Sequence, residues 1–322
     1  MSQKGQGRSR EVVQLLLDSG ANIDVKGENS NTPLHIAVLR GKETIVELLL
    51  QYGAKVDNQD KNGKTALRLA VENRSLLTIQ NILKYSPDID NKSNQESLKI
   101  AVFGYAKKVV EALLEYGFSV IPEDANNREL FRSAVENGYV KIVDDFLKYG
   151  ANVNMRFGRS RNGKGLTPLH IAVINKQEEM ANLLISNEAD INARNKKGKT
   201  PLIMLISNGQ FYGNHGYIVK LLLKRGARVN SRDKDGKTAL HYACYCKHLH
   251  VYNNPDNHRY IIKLLLKYGA RVNSQDNDGR TALHYACRNG FDESIEELLE
   301  HGSDINITCK DGHTALRWSY HQ

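Results

Sequence analysis

The sequence predicts an all-α repeat solenoid, built from helix-turn-helix units joined by β-hairpins. Three observations carry that prediction. An eight-residue segment recurs along the chain, the spacing between copies returns repeatedly to 33 residues, and most copies are followed by a second amphipathic run closed by glycine. Self-similarity at such a period is the signature of stacked supersecondary units.

The first helix of each unit is read from the recurring segment. "GKTALRLA" at 63–70 returns as "GLTPLHIA" at 165–172, "GKTPLIML" at 198–205, "GKTALHYA" at 236–243 and "GRTALHYA" at 279–286. "SNTPLHIA" at 30–37 and "GHTALRWS" at 312–319 belong to the same series, with weaker copies "NQESLKIA" at 94–101 and "NRELFRSA" at 127–134. The periods from one copy to the next are 33, 31, 33, 38, 33, 38, 43 and 33 residues, giving eight complete repeats. Thr32-Pro33 and Thr167-Pro168 predict helix starts, a capping hydroxyl followed by proline at the first helical position.

The second helix is read from runs such as "TIVELLLQYGAKVD" (44–57), "KIVDDFLKYGANVN" (141–154), "YIVKLLLKRGARVN" (217–230) and "YIIKLLLKYGARVN" (260–273). Their apolar residues fall at helical spacing, and Gly53, Gly150, Gly226 and Gly269 supply the left-handed residue that closes a helix. Ser86 and Asn187 stand where the other repeats have that glycine. A short polar stretch with glycine at its tip follows, as in "NSRDKDGK" (230–237), and predicts a hairpin.

A turn, two helices and a hairpin at 33 residues, with the segment T-P-L-H-x-A, resemble the ankyrin repeat family over essentially the whole chain. The resemblance implies L-shaped repeats, with first helices lining a concave face, second helices on the back and hairpins along one edge. It implies a structural role for His35, His170, His241 and His284, bonding at the corner between hairpin and helix. It also makes Asn154, Asn192, Asn230, Asn273 and Asn306 candidates for asparaginyl hydroxylation. A single array over residues 1–322 is expected: a half repeat at 1–29, eight repeats at 30–311 starting near 30, 63, 94, 127, 165, 198, 236 and 279, and a half repeat at 312–322. Residues 11–19 read as a second helix without a first, and 314–322 as a first helix without a second, leaving Trp318 poorly covered. Both ends therefore read as cuts through a repeat, as in a fragment of a longer protein or a divergent gene product.

Composition sets the function classes. Forty per cent hydrophobic and 25% charged residues are ordinary for a folded soluble protein. The four cysteines have no spacing of a disulfide framework. The N-terminus lacks the apolar core of a signal peptide, and no apolar run is long enough to span a membrane. These features favour an intracellular protein, cytoplasmic over nuclear because the basic clusters are too dispersed for a nuclear signal. The formal net charge of +9 points toward an acidic partner.

Two apparent chemical motifs dissolve into the repeat. Gly236-Lys237-Thr238 looks like the end of a phosphate loop, but such a loop needs glycine five residues earlier, where Ser231 stands. The equivalent positions before Gly63 and Gly198 are Asn58 and Ala193. Cys244, Cys246, His248 and His250, with His215 and His258 nearby, suggest metal ligands. Cys244 and Cys287, however, share one repeat position where a small buried thiol packs, and nothing makes the remaining groups converge on four ligands. No nucleophile–base pair, carboxylate pair or metal cluster remains once the repeat consensus is subtracted, so no catalytic, cofactor or metal residue is assigned.

What distinguishes this array lies where repeats differ. The segments "NKSNQES" (91–97), read as a hairpin two residues short, and "IPEDANNREL" (121–130) lose the signature and read as drift. The hairpin before Thr167 carries five extra residues and places Arg156, Arg159, Arg161 and Lys164 on one finger. The next fingers add Arg194, Lys196, Lys197 and Lys199, then Arg232, Lys234 and Lys237. At ~0.1 M salt the Debye length is about 10 Å, so neighbouring tips act as one electrostatic surface. Two stretched turns, 207–217 and 245–260, bring Phe211, Tyr212, His248, Tyr252 and His258 as amphipathic candidates for an interface. On the first helices, Leu39, Phe103, Ile174 and Tyr245 are larger and more apolar than solvent favours.

The reading is a non-catalytic, monomeric scaffold or adaptor that binds an acidic partner protein through hairpin tips and concave face, without a cofactor. Nucleic-acid or anionic-lipid binding by the basic hairpins is the alternative; only Phe157 interleaves an aromatic ring among those cations, which counts against single-strand recognition. A recognition segment of a longer multidomain protein, with catalysis elsewhere, is a further alternative.

Overall fold

A computed structural model describes residues 3–119, 128–158, 165–208, 215–245 and 255–319. It divides into two bodies, one of residues 1–137 and 141–149 and one of residues 138–140 and 150–322.

In the N-terminal body, α1 (Gln3–Asp18) is followed by helix pairs α2 (Pro33–Leu39) and α3 (Glu43–Gln51), α4 (Ala66–Glu72) and α5 (Leu76–Leu83), α6 (Lys92–Phe103) and α7 (Lys107–Tyr116), then α8 (Arg128–Asn137) and α9 (Val140–Lys148). First helices α2, α4, α6 and α8 pack in succession, as do α1, α3, α5 and α7 behind them. The C-terminal body repeats this with α10 (Pro168–Ile174) and α11 (Glu178–Ser186), α12 (Pro201–Ser207) and α13 (His215–Lys224), α14 (Ala239–Tyr245) and α15 (Pro255–Lys267), α16 (Ala282–Asn289) and α17 (Asp292–Glu300), and α18 (Ala315–Trp318). There α10, α12, α14, α16 and α18 form the row of first helices.

The repeated apolar columns build the core. Leu34, Leu67, Leu98, Phe131, Leu169, Leu202, Leu240 and Leu283 are all buried, as are the second-helix residues Val46, Ile79, Val110, Val143, Val219 and Ile262. A lone helix pair would expose these columns, so each repeat owes its stability to its neighbours.

Several expectations need correction. Among the described residues there are no strands, only two isolated bridges, Phe157 with Leu166 and Thr308 with Thr314. The predicted hairpins are turns closed by one backbone bond, such as Asp233 N–H to Lys237 O at 3.0 Å and Asp276 N–H to Arg280 O at 2.9 Å. Segment 91–97 is no hairpin. Asn91 caps a helix by accepting from Ser93 N–H at 2.9 Å, and α6 begins at Lys92. Its extra turn buries Asn94, which accepts the Thr65 hydroxyl at 2.5 Å and donates to Asp57 at 2.7 Å. Helix α1 starts at Gln3, well before the expected residue 11. Trp318 is covered: it is only 7% exposed, with Arg280 and Arg288 over its ring.

The two glycine-less helix ends show how much that residue matters. Gly53 takes φ 86°, whereas Ser86 accepts φ 51° itself. At the other, Asn187 stays right-handed (φ −98°) and the left-handed residue moves on to Glu188 at φ 63°. Each costs roughly 1 kcal/mol relative to glycine.

Candidate functional site: the cation–aromatic row

The chemistry of the repeat corner removes residues from candidacy. In four repeats the cap threonine and the histidine three residues on form one unit. The threonine hydroxyl lies 2.8–2.9 Å from histidine Nδ1, and the threonine amide donates to the same nitrogen at 3.1–3.3 Å. Nδ1 is thereby fixed as acceptor, so the ring proton sits on Nε2. Nε2–H donates to the backbone carbonyl of Lys64, Lys199, Arg280 or His313 in the following repeat at 3.0–3.1 Å. Burial pushes all four imidazoles below the ordinary histidine range, His170 to about 4. These rings are neutral clips between repeats.

A second ladder uses residues predicted to face a partner. Arg156 donates to Arg194 O at 2.7 Å, Arg194 to Arg232 O at 2.6 Å, and Arg232 to Gln275 O at 2.8 Å. Gln275 continues the series to Thr308 O at 3.2 Å. These side chains occupy one repeat position and tie successive turns together. Arg156, Arg194 and Arg232 thus also join successive turns, a role that counting charges along the fingers misses, and all three remain exposed. The finger carboxylates are equally committed. Asp233 is buried; its Oδ1 accepts from Asp235 N–H and Lys237 N–H at 3.0 and 2.9 Å, and its Oδ2 accepts Tyr242 O–H at 2.6 Å. Asp276 does the same with Asp278, Arg280 and Tyr285. Burial, then the bond to Asp233 or Asp276, raises Tyr242 and Tyr285 far above the usual phenol range.

The remaining candidates separate clearly. Lys196, Lys197 and Lys234 are exposed at turn tips, with no ion pair among the described residues. Arg159, Arg161 and Lys164 lie outside the described residues, as do Phe211, Tyr212, Cys246, His248, His250 and Tyr252. Leu39 and Phe103 are 49% and 46% exposed, while Ile174 and Tyr245 are half-buried. His258, expected at an interface, is instead buried: Nε2 bonds Ala243 O, and Nδ1 lies 3.2 Å from Ser294 Oγ. Among the described residues no three histidine, cysteine or acidic side chains gather as metal ligands, and Cys244 is a buried free thiol. Asn154, Asn192, Asn230 and Asn273 each bridge to the next repeat, as Asn230 does by donating to Gly269 O at 2.9 Å and accepting from Arg271 N–H at 2.8 Å.

On the first-helix face of the C-terminal body, cations and rings interleave. Lys199 Nζ stands 4.1 Å from the Tyr242 ring centre, and Lys237 Nζ lies 4.6 and 4.9 Å from Tyr245 and Tyr285. The Arg280 and Arg288 guanidinium groups lie 4.7 and 5.2 Å from Trp318. The rings pack edge to face, Tyr245 on Tyr285 at 5.1 Å and Tyr285 on Trp318 at 6.1 Å. Burial lowers the Lys199 ammonium below its ordinary range. Fingers selected for charge alone capture Lys199 but miss Arg280, Arg288, Tyr242, Tyr285 and Trp318. Comparing one column would have found the rings: the residue before the consensus alanine is Ile36, Leu69, Ile100, Ser133, Ile171 and Met204, then Tyr242, Tyr285 and Trp318.

A family model for ankyrin repeats in three copies matches residues 2–94, 98–195, 131–212, 169–254 and 248–321. The chain belongs to the ankyrin repeat family. No curated protein matches it. Ankyrin repeats are generally protein–protein interaction modules, typically without catalysis. No helix among the described residues is long and apolar enough to cross a membrane.

Charge divides this ankyrin array. The N-terminal body holds 20 Lys and Arg against 20 Asp and Glu; the C-terminal body holds 25 against 16, the whole net charge of +9.

Proposed function

We propose that the chain is a non-catalytic recognition scaffold that binds an acidic partner protein through the turn tips and first-helix face of its C-terminal body. The row of cations lying on aromatic rings is the observation that carries this reading. Its lysine and arginine heads rest on rings while Asp233 and Asp276 are turned inward and satisfied. A ring-backed cation is held at roughly 0.5–1 kcal/mol and still presents charge to a ligand. Exposed Lys196, Lys197 and Lys234 extend that field over the turn tips, and half-buried Ile174 and Tyr245 are the apolar contacts on the first-helix face of the same body, whereas Leu39 and Phe103 lie in the N-terminal body, outside this site.

Fluorescence anisotropy with a labelled oligoglutamate peptide, a single-stranded oligonucleotide and anionic vesicles tests the reading. Saturable binding of the peptide, weakened at least tenfold by combined Lys196→Glu, Lys197→Glu and Lys234→Glu, is the expected result. Those side chains are exposed and have no ion pair among the described residues, so circular dichroism should be unchanged. Tighter binding of the oligonucleotide, with a steep salt dependence, would transfer the basic surface to nucleic acid.

A further inference from the structure

Arg280, Arg288, Asp311, His313 and Trp318 enclose an open cavity of about 220 Å³ at the end of the row. We propose that this cavity anchors an aspartate or glutamate side chain of the acidic partner segment. The proposal rests on the acidic-partner reading above and adds the residue-level site.

The array itself supplies the comparison. In the second repeat, Lys64 precedes the cap threonine, and Glu72 lies two residues beyond the consensus alanine. The Glu72 carboxylate takes Lys64 Nζ at 2.7 Å and Arg68 Nε at 3.3 Å. In the eighth repeat the same two positions hold Arg280 and Arg288. The second repeat fills this corner with its own carboxylate; the eighth places a second guanidinium there.

Charge at the corner is incompletely matched. Arg280 Nη1 holds Asp278 at 2.9 Å and Tyr285 also bonds its guanidinium, but its buried Nε has no hydrogen-bond partner among the described residues. Arg288 is exposed and has no carboxylate partner among the described residues. Asp311 stands on the turn side of the cavity and disfavours an anion there, which steers a carboxylate toward Arg288. A guanidinium can receive a carboxylate through two parallel N–H bonds.

The floor suits a side chain better than a small molecule. Trp318 is pinned by His284 at 6.0 Å and Tyr285 at 6.1 Å, both edge to face. A glutamate side chain is long enough for its carboxylate to reach the exposed Arg288 while its methylenes pass the rim of the buried ring. The volume is below the range usual for drug-sized ligands, and Trp and Arg are the residue types that most often dominate binding energy at interfaces.

Trp318 is the chain's single tryptophan, so its emission reports on this cavity. The intact chain is titrated with an oligoglutamate peptide and with oligoglutamine of equal length. A saturable change in Trp318 emission with the first and none with the second is expected. Arg288→Glu should weaken it at least tenfold, and Arg288→Lys should fall between. Arg288→Gln, checked by circular dichroism, removes the charge without reversing it and gives the answer should Arg288→Glu not fold. Anisotropy of the labelled peptide is followed in parallel. Peptide binding that leaves Trp318 emission unchanged, or is indifferent to Arg288, overturns the cavity and leaves the acidic-partner reading standing. No binding in either readout overturns both.

Discussion

Two residues past the consensus alanine, the N-terminal body has Glu72 and Glu136 where the C-terminal body has Tyr245 and Arg288. The glutamates close on their own helices: Glu72 takes Arg68 and Lys64, and Glu136 takes Arg132 at 2.8 Å. In the C-terminal body the corresponding cations lie on Tyr245, Tyr285 and Trp318 instead. Three of the four corner histidines, His170, His241 and His284, lie in the C-terminal body, where Ile203 takes the position in the sixth repeat; the N-terminal body has His35, with Arg68, Lys99 and Arg132 in its second to fourth repeats. One backbone plan therefore supports two surfaces. The first pairs its helix-face glutamates with its own cations, and the second sets more of its cations on rings and holds three of the four histidine clips.

The largest test of that contrast is acid. Above about pH 6.5 a clip histidine is neutral in both the folded and the unfolded chain, so its full contribution is present. As pH falls below that value the unfolded chain takes up a proton that the folded ring refuses, and stability drops until the folded ring itself titrates, near 4 for His170. His170 alone then accounts for a loss of about 3 kcal/mol. Hydrogen exchange between about pH 7 and pH 5 should show protection falling further around α10, α14 and α16 than around α4, α6 and α8. Equal losses in the two sets would break the contrast.

Next come the buried hydroxyls. Tyr242→Phe and Tyr285→Phe each leave a buried carboxylate one donor short and should cost about 2 kcal/mol in urea unfolding. A change within ~0.5 kcal/mol would mean that the turn amides alone satisfy Asp233 and Asp276.

A smaller effect separates the two kinds of basic residue. Arg194→Ala or Arg232→Ala should lower stability by about 1 kcal/mol, because a bond between turns is lost. Lys196→Ala and Lys197→Ala should stay within ~0.5 kcal/mol while weakening acidic-peptide binding. Arginine and lysine variants that behave alike would collapse the distinction between clip and contact.

The smallest effect sharpens the view of the N-terminal body. Glu72→Gln or Glu136→Gln should change stability by no more than ~0.5 kcal/mol, since partly exposed ion pairs gain little over hydrated charges. A thermal-melt shift as large as that of Tyr285→Phe would show these pairs carrying structural weight.

Much of this was legible in one dimension. The repeats are marked by Thr32, Thr167 and Thr281 at helix starts and by Gly53, Gly226 and Gly269 at helix ends. The structural histidine followed from the family resemblance. The candidate site was legible only in part. Lys196, Lys197 and Lys234 remain exposed as expected, but Arg156, Arg194 and Arg232 reach carbonyls 38 or 43 residues away, a distance no local pattern encodes. Segment 91–97 misled because its partners Asp57 and Thr65 lie in earlier repeats, 37 and 29 residues from Asn94, so Asn94 reads locally as a turn residue.

By itself, the sequence determined the architecture, because a repeat that cannot bury its apolar columns alone must stack, and the period states how. It also determined that net charge resides after residue 150. Only the tertiary structure decided which charges remain available. Stacking brings residue 199 beneath residue 242 and residue 280 beneath residue 318, and a cation's availability depends on whether that neighbour is a carboxylate, a carbonyl or a ring.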